Sequence, residues 1–199
     1  GAVGGVFGVT GGIYHRWPDR CIDTPISESA IVGAAAGAAL VGMRPVAEIM
    51  FADFIGVCMD QIVNQMAKFR YMFGGKSRCP AVIRFSSGGG FSAAGQHSQA
   101  MYQVMTSFPG LKVVVPSNAY DAKGLMLSAI QDDDPVLFFE PKILYQERRN
   151  YHPYSDVHVA CVPKLSHTRI DYRKACLTLA PKPQQCFVFN PWELVEFLV

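Results

Sequence analysis

Short apolar runs alternating with helical stretches predict an α/β fold: a largely parallel sheet flanked by helices. Two observations carry that expectation. Segments 80–85, 111–115 and 136–139 are nearly continuous apolar runs of strand length, the pattern of strands buried on both faces. Between the strands, apolar residues recur at helical spacing, most plainly Ile62, Val63, Met66, Phe69 and Met72.

Taken in order, a glycine-rich opening over 1–12 runs into Ile13-Tyr14-His15-Arg16-Trp17. Cys21-Ile22-Asp23-Thr24-Pro25-Ile26 reads as a short extended segment stopped by proline. Ser27 can cap a following helix. Glu28 stands in its first turn, where a carboxylate meets the positive end of the helix dipole. That helix, 28–42, has little side-chain bulk: Ala30, Gly33, Ala34, Ala35, Ala36, Gly37, Ala38 and Ala39. Glycine costs roughly 1 kcal/mol in a helix interior, so this many small residues imply close approach by another backbone or a ligand. A strand over 44–51 and a helix over 57–72 follow, then the strand 80–85 and a glycine-rich loop over 86–90. A helix over 97–107 leads to the strand 111–115, and a helix over 119–131 leads to the strand 136–139. Past Tyr145 the periodicity weakens until Phe187-Val188-Phe189 and 192–199. A boundary near residue 150 divides an α/β domain, 1–150, from a tail, 151–199.

With 199 residues, 50% of them hydrophobic and 17% charged, the chain can bury one full-sized core. A net charge of +2, with no basic cluster beyond Arg148-Arg149, argues against a nucleic-acid partner. The longest apolar run, 30–43, is mostly Ala and Gly and falls short of the roughly 20 residues a bilayer span needs. No membrane partner and no signal peptide are expected. The six cysteines (Cys21, Cys58, Cys79, Cys161, Cys176 and Cys186) include no C-x-x-C, which points to reduced thiols in a reducing compartment.

Several familiar signatures fail. Gly75-Lys76-Ser77 ends like a phosphate-binding loop, but Arg70 stands where the first glycine belongs, and a helix precedes it. His158, Cys161, His167 and Cys176 match no common zinc spacing. What remains is Glu28. It lies at the carboxyl end of an expected strand, where open α/β sheets bind ligands, and it opens a helix with room for a planar ring. His97, in Gly95-Gln96-His97-Ser98-Gln99, follows the strand 80–85 in the same way. An acid and an imidazole at neighbouring strand ends suit acid–base chemistry. The plainer readings are a helix-start carboxylate for Glu28 and a core ring for Phe54.

Seven collinear segments resemble one family, the β subunit of thiamin-diphosphate-dependent 2-oxo acid dehydrogenase E1 components. They are 23–28 (DTPISE), 44–54 (RPVAEIMFADF), 60–65 (DQIVNQ), 71–76 (YMFGGK), 96–99 (QHSQ), 109–114 (PGLKVV) and 120–125 (YDAKGL). The likeness runs from Gly4 to about Tyr145, roughly three-quarters of the chain. Within the family, residues 51–60 and 71–76 are most similar to the pyruvate and acetoin branches; the branched-chain branch fits less well.

That resemblance implies a transketolase-like pyrimidine-binding domain. It implies thiamin diphosphate shared with an E1 α subunit that holds the diphosphate and magnesium. It also implies oxidative decarboxylation of pyruvate, or cleavage of acetoin, with acyl transfer to a lipoyl-bearing E2. The assembly implied is an α2β2 heterotetramer, cytoplasmic in a bacterium and in the mitochondrial matrix of a eukaryote. Glu28 corresponds to the glutamate that hydrogen-bonds the aminopyrimidine ring nitrogen and favours its imino tautomer. Phe54 corresponds to the aromatic residue packed on the pyrimidine face. His97 corresponds to the histidine that orients substrate or serves acyl transfer. Ala81, Ala129, Ile130, Asp132 and Asp134 match a loop that binds potassium in some relatives, with Asp134 in place of the usual asparagine.

Two departures accompany it. The family's first helix and strand precede the point where this sequence begins. Residues from about 157 onward resemble neither its linker nor its C-terminal domain, so a chain lacking both ends is expected. No Gly-Asp-Gly, the family's diphosphate motif on the α subunit, occurs here. Two alternatives stand beside the catalytic β subunit: a truncated, non-catalytic form that only binds an α subunit, and another thiamin enzyme of the transketolase type.

Overall fold

The computed structural model describes residues 4–145. Four strands form one sheet in the order β1-β2-β4-β3: β1 (Val46–Ile49), β2 (Val82–Ser87), β3 (Lys112–Val114) and β4 (Val136–Pro141). Every pairing is parallel, and Val46, Val82, Val136 and Lys112 lie in one row across the sheet. The strands therefore start level, and their carboxyl ends emerge along one edge. The helices are α1 (Ile13–Arg16), α2 (Glu28–Leu40), α3 (Phe69–Met72), α4 (Tyr102–Met105) and α5 (Ala119–Gln131).

Alternation along the strands divides the core between two faces. Ile49, Ile83, Phe85, Val113, Leu137 and Phe139 pack with Val32, Ala35, Ala36 and Ala39 of α2. Val82, Val114, Val136 and Phe138 pack under Leu125, Met126, Ala129 and Ile130 of α5. β2, central and covered on both sides, is buried at all six positions. The parallel α/β expectation is met. Among the described residues no helix is long and apolar enough to cross a membrane.

Helix ends follow local chemistry. α2 stops in a Schellman turn: Gly42 takes φ 97°, its N–H donates to Ala39 O at 3.1 Å, and Met43 N–H reaches Ala38 O at 3.0 Å. At α5 the Asn118 side chain accepts from Asp121 N at 2.9 Å. Ser27 occupies the cap position of α2, but its side chain makes no capping bond.

Two expected helices are broken. In place of one helix over 57–72 there is a π-helical stretch, Gln61–Met66, followed by the short α3. At the end of that stretch the Pro109-Gly110 turn lies close against the backbone of Ala67. A Cβ at Gly110, which has φ 94°, would sit 1.9 Å from Ala67 O. The expected helix 97–107 becomes a 3₁₀ turn, Gly95–His97, followed by α4. The tail 151–199, Arg148-Arg149, three of the cysteines and the His158 to Cys176 set lie outside the described residues.

Candidate functional site at the carboxyl ends of the strands

Glu28 is the first residue of α2 and is half-buried. Beside it, Ser29 Oγ donates to Val57 O at 2.6 Å and pins the first turn of α2 to the segment that follows β1. That segment begins as a 3₁₀ turn, Ala52–Gly56, which carries Asp53 and Phe54. It ends at Cys58, which is fully buried. Burial pushes the Cys58 thiol up to about 12; a backbone hydrogen bond opposes the shift and the Glu28 carboxylate adds to it. The Glu28 carboxylate is therefore within electrostatic reach of Cys58.

His97 ends the 3₁₀ turn beyond β2. Its imidazole stands edge-on to Phe51, with ring centroids 4.5 Å apart at 81°, and to Phe54 at 5.4 Å and 89°. The two phenyl rings also meet edge-to-face, at 6.1 Å and 85°. Among the described residues no hydrogen bond or ion pair joins Glu28 to His97. Within the Phe54–Cys58 segment, Cys58 Sγ lies 3.8 Å from Phe54 O. Just before the His97 turn, Ser92 (φ 55°) and Ala94 (φ 58°, ψ −170°) adopt conformations that side chains ordinarily avoid. Such positions cost on the order of 1–3 kcal/mol each and persist only where their surroundings hold them.

Three strand ends grip the chain at His97 and Gln99, just past that pair. Asp53, after β1, accepts from Gln99 N–H at 3.2 Å through Oδ1. Gly88, after β2, donates its N–H to Gln99 O at 3.0 Å. Lys142, after β4, donates from Nζ to the carbonyl of His97, and its ammonium lies 5.2 Å from the Phe51 ring centroid. Lys142 is buried, and burial lowers its pKa against the pull of the Asp53 carboxylate.

Two buried polar atoms at these strand ends have no partner among the described residues, Asp53 Oδ2 and Ser87 Oγ. Leaving such a group unpaired costs about 1–3 kcal/mol, so this end of the sheet favours a ligand with hydrogen-bonding edges. A half-buried carboxylate on a low-bulk helix, a phenyl ring and these orphaned atoms fit the aminopyrimidine half of thiamin diphosphate.

Beneath the site, on the α5 face, Arg84 is buried and holds three strands together. It donates to both Glu140 carboxylate oxygens, at 2.7 and 2.8 Å, and to Glu48 at 3.3 Å. Tyr145 Oη donates to Glu140 at 2.8 Å. Burial works to lower the Arg84 pKa, but Glu140, then Glu48 and Tyr145, outweigh it and raise it.

Ala81, Ala129, Ile130, Asp132 and Asp134 gather at the opposite, amino-terminal edge of the sheet. Four of their carbonyls are already engaged. Ala81 O accepts from Val136 N–H at 2.9 Å and Ala129 O from Asp132 N–H at 3.3 Å. Ile130 O and Asp132 O accept from Arg44 Nη1 at 3.0 and 2.8 Å. The Asp134 carboxylate pairs with Arg70 and Lys112. A potassium ion there would share two carbonyls with a guanidinium, so the residues present fit it poorly.

Asp53, Ser87 and Lys142 were not singled out by the sequence reading. Asp53 sits inside a segment that carried the family resemblance. Lys142 follows directly on an apolar strand, the only signal that it is placed at the ligand-binding edge.

Phe54 and His97 meet beyond the carboxyl ends of parallel strands, and the first turn of α2, which carries Glu28, is pinned to the same segment, in an α/β domain. Residues 2–148 match the family described as transketolase, pyrimidine binding domain, and the chain belongs to that family. The chain is 63% identical over 144 residues to the acetoin:2,6-dichlorophenolindophenol oxidoreductase subunit beta of Cupriavidus necator, covering 72% of this chain and 43% of that relative. It is 48% identical to the pyruvate dehydrogenase E1 component subunit beta of Acholeplasma laidlawii, over 73% of this chain and 45% of the relative. Identity to the 2-oxoisovalerate dehydrogenase subunit beta of Bacillus subtilis is 47%, over 78% of this chain and 48% of the relative. The chain thus spans less than half the length of these curated relatives. Identity separates the acetoin relative from the other two, but not those two from each other. Among solved structures, one titled split gene transketolase, inactive beta4 tetramer, shares the fold with a TM-score of 0.53 and 24% identity, over 64% of this chain and 39% of that one.

Proposed function

We propose that this chain supplies the pyrimidine half of a thiamin diphosphate site in a 2-oxo acid dehydrogenase E1 β subunit of the acetoin or pyruvate type. The observation that carries the reading is Glu28: a half-buried carboxylate on the first turn of a low-bulk helix, held against the Phe54–Cys58 segment. Identity of 63% against 48% favours acetoin over pyruvate as substrate.

Bound thiamin diphosphate supplies a carbon nucleophile and an electron sink for cleaving the bond next to a carbonyl. Glu28 shares a proton with the ring nitrogen of the aminopyrimidine, and Phe54 presents its ring to the pyrimidine. His97, edge-on between Phe51 and Phe54, orients the substrate oxygen and assists acyl transfer to a lipoyl group. An α subunit holds the diphosphate and magnesium in an α2β2 assembly, and a lipoyl-bearing E2 receives the acyl group. Potassium is given no step, because Arg44 already takes up two of the carbonyls that would hold it. The compartment proposed is the reducing cytoplasm of a bacterium, or the mitochondrial matrix in a eukaryote.

The test is reconstitution with an acetoin-type α subunit, thiamin diphosphate and magnesium, following dichlorophenolindophenol reduction with acetoin, pyruvate or a sugar phosphate. Turnover with acetoin or pyruvate but not the sugar phosphate is expected. Glu28→Gln should lower kcat by about 10²–10⁴-fold. Undiminished turnover in that variant refutes the role.

A further inference from the structure

The loop carrying His97 is held by two side chains of opposite charge that the reaction chemistry does not require. Lys142 is buried, yet its ammonium is spent on the backbone carbonyl of His97 and the face of Phe51. A buried ammonium is costly without partners, and a methionine would fill the same space without that cost. The charge therefore answers to the polar contact, not to packing. Asp53 mirrors it. One oxygen takes the N–H of Gln99, two residues beyond His97, and the carboxylate acts on the ammonium of Lys142. The pair grips the chain at His97 and just past it, from β4 and from β1. The strained Ser92 and Ala94 precede it.

We propose that Lys142 and Asp53 are positioning residues, clamping the backbone at His97 and Gln99 so that the imidazole keeps its edge-on seat between Phe51 and Phe54. The inference rests on the reading of His97 as a site residue.

The test begins with the full chain alone. Carbethoxylation rates of individual histidines are measured by mass spectrometry after diethyl pyrocarbonate treatment, with exposed His15 as internal reference. Lys142→Met and Asp53→Ala, which remove the donor and the acceptor, should each raise the His97 rate by about threefold or more through local opening, with His15 unchanged. Lys142→Arg, which keeps a donor, should restore the wild-type rate. A lowered urea midpoint with the His97 rate unmoved in both variants overturns the proposal, because the two residues would then be merely structural. The second measurement is a double-mutant cycle in the reconstituted enzyme. Lys142→Met should cost about tenfold in kcat with His97 present and nothing further in a His97→Ala background. Additive losses overturn it. If wild-type chain shows no turnover while the carbethoxylation result stands, the proposed function fails and the clamp survives.

Discussion

Replacing Arg84 with methionine should be among the most damaging single changes in the described domain. Its side chain is 5% exposed, with Glu140 at 12% and Glu48 at 28%. At the N···O separations of 2.7 and 3.3 Å, an effective dielectric of about 20 gives gross attractions of roughly 6 and 5 kcal/mol. Desolvation of the three groups removes several kcal/mol of this. Methionine fills the volume but leaves two carboxylates facing each other with no cation between them. Breaking a buried pair in this way costs about 3–5 kcal/mol. Urea unfolding of the full chain, followed by near-UV circular dichroism, measures it. Adding Glu48→Gln and Glu140→Gln to Arg84→Met should recover more than half of the loss, because the penalty lies in the uncompensated charges. A loss below about 1 kcal/mol, or no recovery in the triple variant, refutes the reasoning.

Gly110→Ala should destabilise by at least about 3 kcal/mol, since a positive φ alone costs 1–2 kcal/mol and the new Cβ would meet Ala67 O at 1.9 Å; an unchanged urea midpoint would contradict that geometry. Burial pushes the Cys58 and Cys79 thiols up to about 12 from 9.0, so at pH 8 both should alkylate far more slowly than partly exposed Cys21 in peptide-resolved iodoacetamide labelling. Because the folded pKa lies above the unfolded one, the stabilisation is complete below pH 9 and is lost as pH rises towards 12. The unfolding free energy should therefore fall across that interval and fall less in Cys79→Ala; equal slopes in the two proteins would show that the thiol does not contribute.

How far the chain could be read in advance differed from element to element. α5 matches its expected span at both ends, because everything that defines it is local: Asn118 caps it, apolar spacing runs through it, and Asp132 begins the turn after it. Strands β2, β3 and β4 were legible because a strand covered on both faces must be almost wholly apolar; the segment 21–26, expected as a strand ending at Glu28, joins no sheet among the described residues, since no neighbouring strand pairs with it. Glu28 stood out for a local reason too, as a carboxylate at the head of a helix without bulk. The helix expected over 57–72 is interrupted where the Pro109-Gly110 turn, far along the chain, lies against Ala67, a contact that periodicity cannot register. His97 was expected at the start of a helix and instead ends a 3₁₀ turn. The 3₁₀ turn that seats it depends on contacts from three strand ends.

By itself, then, the amino-acid order determined the parallel α/β layering and put an acid at the head of α2 and an imidazole after β2, since each follows from spacing or from neighbours along the chain. Only the tertiary structure decided what fixes those groups. Arg84 meets Glu48 and Glu140 from 36 and 56 positions away, and Lys142 reaches His97 across 45. The physical reason is that a buried charge is tolerated only where an opposite charge or an unpaired carbonyl awaits it. Such partners come together when separate strands pair in register, a condition set by the folded sheet as a whole.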